Sequence, residues 1–280
     1  MSRPKYKKYI TPNIYKIFKG IFGKPLRYIA DRYETIWNPV PKTPSRAITG
    51  WSVVVITDGN NKSSLELFIK SAYNELCGTD YEIIVVGPPK LDLSYIEKDI
   101  IIMHVPYKEL SLWTVPGAVA RKKNFGAKQA KYDKVVLSHD YLVFQPGWKK
   151  GYDKFGDFSV CTNVVLDIDG NRHRDWVTWD YPGIGQSLLP YNHECTEYQT
   201  IGGNYFAVNR DFFLEHPMNE NLRWGEGEDI DWSFSIRNKI KFRMNAESKV
   251  QHSKRKTKGI FGNWLEGTQK IEAILKQKTL

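Results

Sequence analysis

Four carboxylates fall within six residues of the stretch W-G-E-G-E-D-I-D (224–231): Glu226, Glu228, Asp229 and Asp231. Groups so close repel one another when ionised, and the arrangement is best tolerated where it binds a cation, a substrate hydroxyl or a proton. An acidic run also suits a helix N-terminus. A cap alone, however, does not require the flanking Trp224, Gly225 and Gly227, and Trp232 follows directly. Two further residues follow apolar runs: Asp140 in S-H-D-Y and His252 in V-Q-H. Taken singly, the first reads as a turn former and the second as a structural histidine. Together they supply an oxygen and an imidazole, which suit a divalent ion such as Mn²⁺ that also holds a pyrophosphate. Mg²⁺ is a poorer match for an imidazole ligand.

The surrounding pattern says what must position these groups. W-S-V-V-V-I-T-D-G (51–59) is a short apolar run closed by a turn, and so a buried strand. A helical stripe over 63–77 follows, with Ser63 and Ser64 as caps, and then a second buried strand, Y-E-I-I-V-V-G-P-P (81–89). Strand, helix, strand in this span is a βαβ unit with parallel strands. A third apolar segment (100–105), a helix (117–131) and a strand (134–140) complete an open sheet whose ligand belongs at the strands' carboxyl ends. The second half holds R-H-R-D-W-V-T-W-D-Y-P (172–182) and G-G-N-Y-F-A-V-N-R-D-F-F (202–213). A helix, a short strand ending at 250–252 and a closing helix over 262–277 are expected after the acidic run.

Of the 280 residues, 41% are hydrophobic and 14% aromatic, an ordinary globular composition. The net charge of +10 sits at the ends: residues 1–46 carry +9, 249–280 carry +6, and the stretch between carries −5. A nucleic-acid enzyme needs positive charge across its working face, so nucleic acid is a poor partner and an anionic surface a better one. Cys77, Cys161 and Cys195 form no disulfide pattern, which points to reduced thiols and a cytoplasmic setting. No run reaches the length of a membrane span, and the basic N-terminus lacks the features of a secretory signal. Ile14, Ile17, Phe18 and Ile21 recur at helical spacing with Lys16 and Lys19 between them. That segment suits either a helix in a membrane interface or one packed on the main domain. N-P-V-P-K-T-P-S (38–45) reads as an extended linker. The expected division is therefore a basic extension and linker (1–46), a catalytic domain (47–253) and a basic helical tail (254–280).

At four places the sequence resembles the GT-A glycosyltransferases, namely the inverting family-2-like enzymes and the galactosyltransferase catalytic domains. K-N-F-G-A-K-Q-A (123–130) resembles their R-N-x-G…A helix, and S-H-D (138–140) falls where they carry D-x-D. G-G-N-Y-F-A-V (202–208) resembles the G-G…F motif, and W-G-E-G-E-D-I-D is similar to W-G-x-E-D-D with a distal histidine at His252. The resemblance spans about residues 50–252 and implies an α/β GT-A fold, with a mixed central sheet and helical terminal extensions. It gives the metal to Asp140 and His252, the catalytic base to Asp229 and the orientation of the acceptor to Glu228. Thr57, Asp58, Lys123, Asn124 and His139 fall on the donor side, and Trp224, Gly203, Asp231 and Trp179 on the acceptor side. Two departures stand out. Ser138 or His139 replaces the first Asp of D-x-D, and the second strand ends V-V-G-P-P where relatives have V-D-D-G.

The implied activity is transfer of a sugar from a nucleotide-diphosphate donor, a UDP-sugar first, to a hydroxyl of a glycan or lipid-linked saccharide. The expected setting is cytoplasmic, peripheral on the inner face of a membrane. Trp176, Trp179 and Tyr181 could form an acceptor platform or pack in the core. Two rivals are a glycosyltransferase acting on modified DNA bases and a non-catalytic nucleotide- or glycan-binding protein of the same fold.

Overall fold

The computed structural model describes residues 12–41, 47–110, 117–193, 197–255 and 262–278, and for 12–19 the backbone only. The chain runs α1 (Pro12–Trp37), β1 (Ile48–Ile56), α2 (Lys62–Leu76), β2 (Tyr81–Gly87), β3 (Ile102–Pro106), α3 (Val119–Gln129) and β4 (Tyr132–His139). It continues through β5 (Leu142–Phe144), α4 (Trp148–Phe155), β6 (Val160–Leu166), β7 (Trp176–Tyr181), β8 (Gly185–Leu188), β9 (Gln199–Ile201) and β10 (Tyr205–Asn209). The last elements are α5 (Arg210–Glu215), α6 (Glu228–Ile236), β11 (Phe242–His252) and α7 (Gly262–Lys278).

Eight strands form one mixed sheet in the order β3-β2-β1-β4-β10-β6-β11-β5. The first four are parallel, as the βαβ pattern requires, and β10 runs antiparallel between β4 and β6. The fold is α/β with helices on both faces. Alternation along β1 divides the core: Val53 and Val55 join Phe68 and Ile69 of α2 on one face, while Val54 and Ile56 meet α3 on the other. Each such side chain contributes roughly 1.5–3 kcal/mol by leaving water. Helix α3 lies close because Gly126 faces β1 and β2: a Cβ there would meet Val54 Cγ1 at 2.3 Å and Val86 Cγ2 at 2.8 Å.

The strands expected at 51–59, 81–89 and 134–140 are present, the third apolar segment forms β3, and helices occupy 62–76 and 119–129. The strand ending at His252 is far longer than expected, because β11 crosses the sheet between β6 and β5 with an irregularity at Asn245/Lys249. A second sheet, β8-β7-β9, takes up the 172–201 region. It settles the aromatic segment unevenly: Trp176 is buried and donates to the His193 carbonyl, whereas Trp179 is 41% exposed.

Both terminal helices pack on the rest. Ile271 of α7 is fully buried in the main core cluster, and Trp264 closes a small one over β8. On α1, Ala30 and Glu34 are buried one turn apart, and Asn38, just past its end, is buried as well. Asn38, expected in a linker, instead exchanges hydrogen bonds with the Lys108 backbone at 2.8 and 2.7 Å. Of the interfacial stripe expected at 14–21, the backbone is helical and Ile21 is exposed, while the side chains of Ile14, Lys16, Ile17, Phe18 and Lys19 lie outside the described residues.

Candidate active site

Strands β1 and β4 are neighbours in register, with Ile56 opposite His139. The residues just past their carboxyl ends therefore meet. Thr57 donates from Oγ1 to Asp140 Oδ2 at 2.6 Å and accepts from the Gly59 amide at 3.0 Å. Burial raises the pKa of Asp140; the Thr57 bond and the charge of Lys254 act against this, and Asp58 reinforces it. At Asp58 burial pulls the same way, but hydrogen bonding from Asn60 outweighs it and the net direction is down.

β11 brings His252 to the same place by pairing it with Leu142, two residues beyond Asp140. The imidazole is 3% exposed, stands edge-on to Tyr141 and lies 4.4 Å, centroid to centroid, from His173. Among the described residues no cluster of three or more His, Cys, Asp or Glu side chains is poised for a metal. An ion at Asp140 and His252 would have only these two protein ligands and would need the rest of its shell from a diphosphate and water.

The acidic run is pulled apart by its loop. Gly225 and Gly227 both adopt φ of +81°, a left-handed conformation that glycine takes without strain. The chain thus turns sharply into α6. Glu226 binds Arg27 of α1 at 2.8 Å and accepts from the Arg223 amide at 3.0 Å. Asp231 is exposed. Glu228 and Asp229 point the other way, toward α3. Asp229 accepts from the Gly203 amide at 2.7 Å through Oδ2 and from the Ile230 amide at 3.0 Å through Oδ1. Gly203 must be glycine for this, since a Cβ would lie 2.7 Å from Asp229 Oδ2.

Lys123, expected on the donor side, lies with these carboxylates. It sits one turn before Gly126 on the face of α3 that packs on the sheet, is fully buried and donates to the Gly203 carbonyl. Burial lowers its pKa, while Glu228 and Asp229 favour its charge. Asn124, also expected near the donor, is occupied elsewhere. Its amide bonds the Met218 backbone in both directions, at 2.8 and 3.0 Å, and Glu220 at 3.0 Å, which fixes that loop.

The segment Gly202-Gly203-Asn204 joins the two halves. Gly203 holds Lys123 and Asp229, while the Asn204 carbonyl accepts from the His139 amide at 3.0 Å and its side chain lies 3.3 Å from His252 Nε2. The sequence reading missed Asn204, His173 and Arg174. All three stand inside R-H-R-D (172–175) and G-G-N-Y (202–205), but nothing local marks them: Arg174 is brought within electrostatic reach of Asp229 by tertiary packing. Trp224, 52% exposed, opens the acidic loop, and its amide donates to Gly117 O at 2.9 Å. No hydrogen bond or ring contact among the described residues ties Trp179 to the cluster.

Burial raises the pKa of Glu228, Asp229 adds to the rise, and Lys123 offsets part of it. A carboxyl with a raised folded-state pKa contributes stability that is complete below its unfolded pKa and is lost as pH rises through the folded value. Glu228→Gln should therefore melt at a higher temperature than the parent at pH 8, with the gap closing toward pH 4. Melting curves across that range check it, and a variant less stable at pH 8 would refute the assignment.

No family model matches the chain, and no curated protein matches it. Solved structures of S. aureus TarS 1–349 are similar at low identity. In complex with UDP-GlcNAc, the match is 15% identical with a TM-score of 0.49 over 81% of this chain and 66% of that one. Without a named ligand it is 16% identical, with a TM-score of 0.46 over 74% and 59%. With UDP it is 14% identical, with a TM-score of 0.47 over 72% and 60%. The chain thus spans roughly six tenths of the length of those structures.

Proposed function

We propose that the chain is a GT-A glycosyltransferase that moves a sugar from a nucleoside-diphosphate donor to an acceptor hydroxyl with inversion. The reading rests on one observation: the 202–204 segment joins a candidate diphosphate and metal end (Asp140, His252) to a carboxylate end (Glu228, Asp229). Transfer needs both at once. The acceptor oxygen attacks the anomeric carbon, Asp229 takes its proton, and the bond to the diphosphate breaks. The Gly203 and Ile230 amides fix the carboxylate so that it is aligned before substrate arrives. Glu228 orients the acceptor through a second hydroxyl, and Trp224 offers its ring to a sugar face. Thr57, Asp58 and His139 lie at the donor end. A divalent ion held by Asp140 and His252, Mn²⁺ before Mg²⁺, would offset the charge gained by the leaving diphosphate. The acceptor is a glycan or lipid-linked saccharide.

The test is a thermal-shift screen with UDP-, GDP-, CDP- and dTDP-sugars, each with and without Mn²⁺. A metal-dependent shift for one nucleotide, a UDP-sugar first, is expected and should vanish in Asp140→Ala. No shift with any donor would favour the non-catalytic binder. An anomeric NMR assay showing retention would overturn the single displacement.

A further inference from the structure

Helix α1 has two unlike faces. Ala30 and Glu34 turn inward, followed by Asn38 just past the helix end, while Ile21, Tyr28, Ile29, Tyr33 and Ile36 lie on the other side, between 42% and 67% exposed. Lys24, Pro25 and Arg32 are exposed among them. A lone exposed apolar residue is normal, but a run of five along one helix marks a contact surface. We propose that this face of α1 lies in the headgroup layer of an anionic bilayer.

Charge selects the occupant. Residues 1–46 hold 11 Lys/Arg and only two acids, Asp31 and Glu34. Both acids are drawn inward: Asp31 to Arg223 and Arg121, and Glu34 to Arg223. Among the described residues the outward face therefore presents Lys24 and Arg32, neither of them in an ion pair with a described carboxylate. Two copies would repel each other, whereas anionic headgroups attract such a face. No described helix is long and apolar enough to cross a membrane, so α1 would lie along the surface. Through Arg223 the helix also holds the loop that carries Trp224 and Glu226. On the glycosyl-transfer reading, bilayer contact places the acceptor side next to lipid and selects a lipid-linked acceptor.

The experiment is vesicle co-sedimentation of the full chain, with phosphatidylcholine alone and with a phosphatidylglycerol-rich mixture. Binding should be at least about tenfold tighter to the anionic vesicles and weaken with added salt. The double variant Ile29→Glu/Ile36→Glu should lose that preference by about tenfold or more, while keeping the parent's melting temperature and nucleotide-sugar response, because both positions are exposed. Equal binding to neutral vesicles, no binding, or an unaffected double variant would each overturn the proposal. A concentration-dependent dimer dispersed by the same variant would assign the face to self-association and overturn it too. Vesicle binding without any donor response would leave this surface standing and remove the transfer reading instead.

Discussion

Asp229→Asn should lower the turnover of sugar transfer by roughly 10²–10⁴-fold while leaving donor affinity unchanged. The substitution keeps the shape and leaves an amide oxygen able to accept from the Gly203 amide, whose bond to Asp229 is 2.7 Å. What it removes is the ability to take a proton from the attacking hydroxyl, together with the longer bond from the Ile230 amide, which then faces the new NH2 group. Initial rates of nucleotide release with acceptor, set beside calorimetric donor binding, separate the two effects. A variant keeping more than about a tenth of parental turnover would show that Asp229 is not the base. Asp229→Ala should be worse in a second way, since it also frees the Gly203 amide and the segment that reaches Asn204 and His252.

The parallel half of the sheet was legible because β1, β2 and β4 are continuous apolar runs between turns, and α2 and α3 carry their own periodicity. The carboxyl ends of β1 and β4 then had to meet, so pairing Thr57 and Asp58 with Asp140 was within reach of the sequence. The 160–201 region was not. Its strands are short, and β6 pairs in parallel with β11 from more than 80 residues away, a contact no local pattern records. The same holds for charge. Glu226 and Glu228 look equivalent in W-G-E-G-E-D, yet the two positive-φ glycines send one to Arg27 and the other toward Lys123. The N-terminal segment was read by its composition as an extension, because the acids that dock it, Asp31 and Glu34, find their partner near residue 223.

That docking predicts the second large effect. Arg223 is 1% exposed and binds Asp31 at 2.8 Å and Glu34 at 2.9 Å; Glu34, itself fully buried, also accepts from the Leu110 amide at 3.0 Å. Burial raises the pKa of Glu34, with the attraction of Arg223 working against it. Arg223→Ala strands a buried carboxylate and should cost about 3–5 kcal/mol of stability, a fall in melting temperature of about 5–9 °C for a chain of this length. Arg223→Lys should recover only part, because an ammonium lacks the planar fork that spans both carboxylates. Chemical denaturation gives the free energy, and limited proteolysis shows whether α1 comes loose first. A loss below about 1 kcal/mol would mean the network is a surface ornament, of the kind exposed ion pairs usually are.

The uneven burial of the described tryptophans gives the molecule a usable optical asymmetry. Trp51, Trp148, Trp176, Trp232 and Trp264 are no more than 5% exposed, whereas Trp179 and Trp224 are 41% and 52% exposed. A dissolved quencher such as iodide cannot reach the first group in the folded chain, so among the described tryptophans the light it extinguishes comes from the second and from the half-buried Trp37, and a Trp224→Phe variant isolates the part that belongs to Trp224. Trp224 opens the carboxylate loop, and a sugar resting on its indole would shield it. Emission recovered when a saccharide is titrated into quenched protein would thus report occupancy directly, with no label and no turnover, and would rank acceptors before the true one is in hand.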